Sequence, residues 1–160
     1  MKNNTLKLTV SLAAVLFFAA YSAVGQTIEA GRIAGTWEVQ VSVVNCDTGF
    51  PFATFPALAT FGSDGTLIVS EGGVAPSAKA PAHGIWSHTR GRAYKFKTRS
   101  FTFNEAGQLA GWIVINNNVT LNTFANEFTA NGTAQIFLAS GTQVGAGCSS
   151  LTATRLAFDQ

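Results

Sequence analysis

Two β-rich runs stand at opposite ends of the sequence, and they constrain the fold more than anything between them. The first is Ile33-Ala34-Gly35-Thr36-Trp37-Glu38-Val39-Gln40-Val41-Ser42-Val43-Val44, and the second is Cys148-Ser149-Ser150-Leu151-Thr152-Ala153-Thr154-Arg155-Leu156. Between them lie short apolar runs rich in Val, Ile, Thr and Phe, separated by turn residues every eight to twelve positions. That pattern is all-β, and a sheet that leaves no exposed edge must pair its first strand with its last. The expected fold is an eight-stranded up-and-down antiparallel β-barrel. Thirteen Phe and sixteen Gly fit such a chain, the first for its core and the second for its turns.

Residues 1–25 have the three parts of a secretory signal peptide. Lys2 and Lys7 form the positive start, Leu8–Ala20 the apolar run, and Ala23-Val24-Gly25 the small-residue cleavage signal, with the cut before Gln26. The apolar run is too short for a comfortable membrane span, and no later segment is a candidate for one. Residues 26–160 are therefore read as a single β-barrel domain that is secreted or periplasmic. Asn118-Val119-Thr120 and Asn131-Gly132-Thr133 match glycosylation acceptors by pattern, but the plain leader looks bacterial and they are read as unmodified. Lys2 and Lys7 account for the formal charge of +2, so the mature chain is near neutral. No nucleic-acid partner is expected from charge.

Cys46 and Cys148 enter an oxidising compartment with no C-x-x-C spacing or histidine cluster beside them, which predicts one disulfide. Placing Cys46 opposite Cys148 in an antiparallel ladder puts Val39 opposite Arg155 and Trp37 opposite Ala157. Trp37 and Arg155 then lie diagonally on the inner face, and the cysteines on the outer one.

In the middle of the chain, strands are expected over 55–61, 66–70, 84–89, 94–99, 109–115 and 128–138. Pro51 and Pro56 restrict the start of the second strand to edge pairing. The Gly- and Pro-rich stretch 72–82 is the longest loop and a candidate lid over an open end. Phe101 and Phe103 are out of step with Phe96, which predicts a β-bulge near Thr98–Ser100. Asn116-Asn117-Asn118 is a place where the next strand could kink.

The hairpin at Gly91 has two registers. A two-residue Gly91-Arg92 turn sends Trp86 and His88 outward with Lys95 and Lys97, whereas a three-residue turn sends both inward with Tyr94 and Phe96. Burial of an indole recovers roughly 150–250 Å² of surface, which favours the inward register.

Gly35-Thr36-Trp37 at the start of the first strand, with Arg155 near the end of the last, resembles the calycin superfamily of lipocalins and avidins. The resemblance implies that the arginine caps the tryptophan and closes the barrel floor, and that a ligand cavity lies above. Neither a second lipocalin motif nor the tryptophan box of avidins accompanies it, so no ligand is implied.

Catalytic chemistry is poorly served. No carboxylate is spaced against another or against a histidine, which argues against an enzyme without closing the question. His83 and His88 fall on opposite faces of a regular strand with no third ligand near, so neither metal nor cofactor is expected. The candidate ligand-binding residues are Trp86, His88, Tyr94, Phe96 and Phe128, although the same side chains could simply fill the core. Arg90, Arg92, Lys95, Lys97 and Arg99 form a basic face. The sequence thus suggests a secreted lipocalin-like barrel binding or carrying a small apolar ligand. The alternative is a structural barrel whose basic face meets envelope or matrix polyanions.

Overall fold

The computed structural model describes residues 32–158, which form eight strands and, within that range, no helix. The strands are β1 (Gly35–Val44), β2 (Pro51–Phe61), β3 (Thr66–Glu71), β4 (Ala82–Arg90), β5 (Ala93–Phe103), β6 (Leu109–Leu121), β7 (Glu127–Leu138) and β8 (Gln143–Arg155). Each pairs antiparallel with the next, and β8 returns to β1, so the sheet closes into an up-and-down barrel. The leader expected over 1–25, with its cut before Gln26, lies outside the described residues.

Strand periodicity decides which residues are inside, because successive side chains point to opposite faces. Trp37 and Val39 of β1, Ala57, Ala59 and Phe61 of β2, Tyr94 and Phe96 of β5, and Phe128 and Ala130 of β7 are buried. Their neighbours Glu38, Gln40, Leu58, Thr60, Lys95 and Thr129 are exposed. Large rings face small partners across the ladders: Trp37 pairs with Ala59, and Phe128 with Ala153. The alanines leave room for the rings to fill the barrel axis.

The expected disulfide is present, with the Cα atoms of Cys46 and Cys148 5.2 Å apart. The register beside it differs from the expected one by two residues. Val44, not Cys46, lies opposite Cys148, and Trp37 lies directly opposite Arg155 rather than Ala157. Cys46 sits in the turn beyond β1, so the bridge reaches back to the ladder instead of lying across it. A shift of two preserves faces, so Trp37 and Arg155 still lie inside and Cys148 outside.

Two other local expectations are overturned. No bulge interrupts Thr98–Ser100: the β5–β6 ladder is continuous from Ala93 to Thr102, and its irregularity falls between Thr102 and Phe103. Thr98 and Ser100 are buried inside, and Phe101 points outward opposite Trp112. Trp112 in turn stacks on Phe137 at 5.7 Å and carries Arg99 over its ring. This outer aromatic strip gives Phe101 neighbours without breaking the ladder. Nor does the asparagine triple kink β6, since all three residues are paired on both sides, and only Asn117 turns inward.

Pro51 and Pro56 behave as expected. β2 pairs with β3 only from Ala57 to Phe61, so its first half has β1 alone as a partner. The loop after β3 lies beside that half. The amide of Gly72 donates to Pro56 O at 2.8 Å, and Gly73 approaches the Phe55 ring so closely that a Cβ there would stand 2.6 Å from it. Its far end adds to β5, with Ala80 N donating to Phe101 O and Phe103 N donating to Ala78 O. The loop is thus tied to β2 and β5 rather than hanging free as a lid.

Candidate functional site

The lower end of the barrel is closed by the residues that carried the resemblance. The Trp37 indole is fully buried and donates from Nε1 to Ile33 O at 2.9 Å. The Arg155 guanidinium lies 4.3 Å over the ring, donating to Ala34 O at 2.7 Å and to Ala125 O at 2.8 Å. A cation over an indole is attractive, and these carbonyls hold it there. Burial lowers the guanidinium pKa from its ordinary value, with Tyr94 acting in the opposite sense. Gly35 is required by the same contact: its φ is +129°, and a Cβ would come within 2.5 Å of Arg155 Nη1.

Above this floor, the hairpin takes the inward register, with Trp86 opposite Phe96 and His88 opposite Tyr94. Trp86, His88, Tyr94, Phe96 and Phe128 are therefore brought together. Phe61, which sequence reasoning did not single out, is the hub: its ring lies 6.2 Å from Trp86, 5.9 Å from Phe96 and 6.0 Å from Phe128. Tyr94 stands 6.0 Å from Trp86 and 5.0 Å from His88. The polar handles of this group are turned to the floor. Trp86 Nε1 donates to Gly62 O at 2.8 Å, and His88 Nε2 donates to Gly91 O at 2.7 Å. With Tyr94 and Phe128 almost wholly buried, the cluster forms a packed platform.

The half of the lumen beyond the platform is different. Val41, Val43, Val69, Ile115 and Ala134 face inward yet stay partly exposed. Gly147, opposite Ala134 on the inner face of β8, meets nothing within 4 Å of where a Cβ would stand. The space directly in front of Gly147 is therefore open. Three polar residues are buried beside it, Thr98, Ser100 and Asn117, and at its rim Lys79 of the 72–81 loop forms an ion pair with Glu71. Alternation from Tyr94 through Phe96 could have located Thr98 and Ser100. The greater hydrophobicity of Phe101 and Phe103 pointed the other way.

The basic face is outside, with Lys95, Lys97 and Arg99 exposed on β5. Arg90 and Arg92 flank the hairpin turn, and Arg92 donates to Thr123 Oγ1 at 2.6 Å. A concavity of about 1010 Å³ lies against outward side chains such as Glu38, Gln40, Leu58 and Thr152. It gathers no buried polar group without a partner, unlike the lumen. Among the described residues no three His, Cys, Asp or Glu are grouped to hold a metal ion. No protein-family model matches the chain, and no curated protein matches it.

Proposed function

We propose that the protein is an exported carrier or binding protein of lipocalin-like type, which holds a small, mainly apolar molecule in the open half of its barrel. The observation that carries this reading is the empty space at Gly147, above an aromatic platform and among inward-facing aliphatic side chains. Ligand sites of this kind are concave and mostly apolar, with few polar groups. In this reading the platform residues Trp86, Tyr94, Phe96 and Phe128 form the bottom of the site, and His88 packs beside Tyr94. The Trp37–Arg155 floor is compatible with the calycin superfamily, and the disulfide is compatible with export to a secreted or periplasmic location.

Filling the space tests the reading. Gly147→Leu should abolish saturable binding of the fluorescent apolar probe N-phenyl-1-naphthylamine while leaving the melting temperature unchanged or higher. A lumen already packed solid would instead be overfilled, with a loss of about 1–3 kcal/mol, and the wild type would not bind the probe.

A second reading is supported by the outer wall. Lys95, Lys97 and Arg99 alternate along β5, with Asn116 and Asn118 beside the two lysines on β6 and a hollow of about 350 Å³ among them. Such a strip could hold an anionic polymer of the envelope or matrix. Retention on a heparin column, lost on reversing Lys95 and Lys97 to Glu, would support it; elution at low salt by both proteins would remove it.

A further inference from the structure

Two buried side-chain atoms in the lumen have no hydrogen-bond partner: Oδ1 of Asn117 and Oγ of Ser100. Both residues are 3% exposed. Buried polar groups are almost always paired, so two such atoms on one wall call for an explanation. They also bracket the open space. Ala134 and Gly147 continue the ladder row of Thr98 and Ile115, while Asn117 lies two residues along β6 to one side and Ser100 two residues along β5 to the other. The opposite wall, built from Val41 and Val43, offers only aliphatic surface. Gly132, opposite Asn117, leaves space for β6 as a whole: a Cβ there would stand 2.2 Å from both the main-chain oxygen of Asn116 and Asn117 Oδ1.

We propose that Asn117 and Ser100 are hydrogen-bonding positions of the ligand site, so that the molecule carried is an amphipathic one bearing a hydroxyl or other O–H or N–H donor, and not a plain hydrocarbon or ether. This rests on the reading of the lumen as a ligand site. In the orientation present, Asn117 offers Oδ1, an acceptor, which calls for a donor on the ligand, and the Ser100 hydroxyl can do either. An apolar body lies along the valines while its polar group satisfies the β5–β6 wall. An analogue without a donor leaves Asn117 Oδ1 buried and unpaired, which is the costly case.

Octan-1-ol and heptyl methyl ether have the same number of heavy atoms and differ in their ability to donate. Their competition with N-phenyl-1-naphthylamine should show that the wild type prefers the alcohol by about tenfold. Asn117→Leu combined with Ser100→Ala should bring the two within about twofold, chiefly by strengthening the ether. The ligand-free Asn117→Leu protein should also melt higher than wild type, because it no longer buries an unpaired acceptor; Ser100→Ala alone gives a second, milder version of the same comparison. Equal binding of alcohol and ether by the wild type, or a lower melting temperature for both single variants, would overturn the proposal and assign the two positions to structural water. Failure of the wild type to bind the naphthylamine probe or either competitor would overturn the carrier reading itself, and this inference with it.

Discussion

Replacing Trp37 by Ala should destabilise the protein by about 3–5 kcal/mol, lowering the melting temperature by about 10 °C or more. The side chain is 0% exposed, so the substitution opens a cavity where three elements meet. It removes the edge contact to Phe128, whose ring lies 4.9 Å away, and the surface on which Arg155 rests. Arg155 keeps its carbonyl partners, Ala34 O and Ala125 O, and so stays where it is over an empty space. Collapse into that space is therefore restricted. A conservative Trp37→Phe change should cost much less, because it keeps a ring under the guanidinium. Thermal melts of the two variants check the point, and an unmoved melting temperature for Trp37→Ala would mean that this residue does not close the floor.

Breaking the disulfide should have the next largest effect. The bridge joins residues 102 apart in sequence, and the loop-entropy model gives such a closure a maximum of about 4.7 kcal/mol. Native strain and structure in the reduced unfolded chain subtract from this, so a loss of about 2–4 kcal/mol is expected for the Cys46→Ser, Cys148→Ser double variant. The fold should survive. Eight residue pairs still join β1 to β8, from Trp37–Arg155 to Val44–Cys148, and they do not depend on the bridge. Urea unfolding should therefore show a lower midpoint, with the β spectrum unchanged before the transition. Equal midpoints with and without reductant would show that the cross-link adds nothing to stability.

These two predictions concern parts of the molecule that are legible in the sequence. Trp37, Arg155 and the cysteines carry strong local signals, and a closed sheet forces its end strands together. Even the inward register of Trp86 and His88 followed from the value of burying an indole. What escaped was the behaviour of polar residues. Ser100 was less attractive for the core than Phe101, yet a bulge that swapped them would have broken a ladder running on both sides of β5. Keeping the ladder buries Ser100 and leaves Phe101 to the outer strip with Trp112. The asparagine triple was equally silent, because three identical residues give no sign of which one faces in. Only the pairing of Asn117 with Phe96 and Gly132 decides it.

The ion pair at the rim was hidden for another reason. Glu71 and Lys79 are eight residues apart across a loop, a spacing with no regular geometry. The Lys79 side chain is 8% exposed and bound to Glu71, so it belongs to the lumen mouth and not to the outer face.

The central claim is that the open half of the barrel carries a molecule. Native mass spectrometry of the protein purified from its own source tests it most directly, followed by denaturing extraction of whatever is released. The account predicts a reproducible one-to-one adduct whose extracted component has an apolar body and at least one hydroxyl or amide donor. Protein isolated without any adduct, and unable to take up N-phenyl-1-naphthylamine or octan-1-ol afterwards, would contradict it.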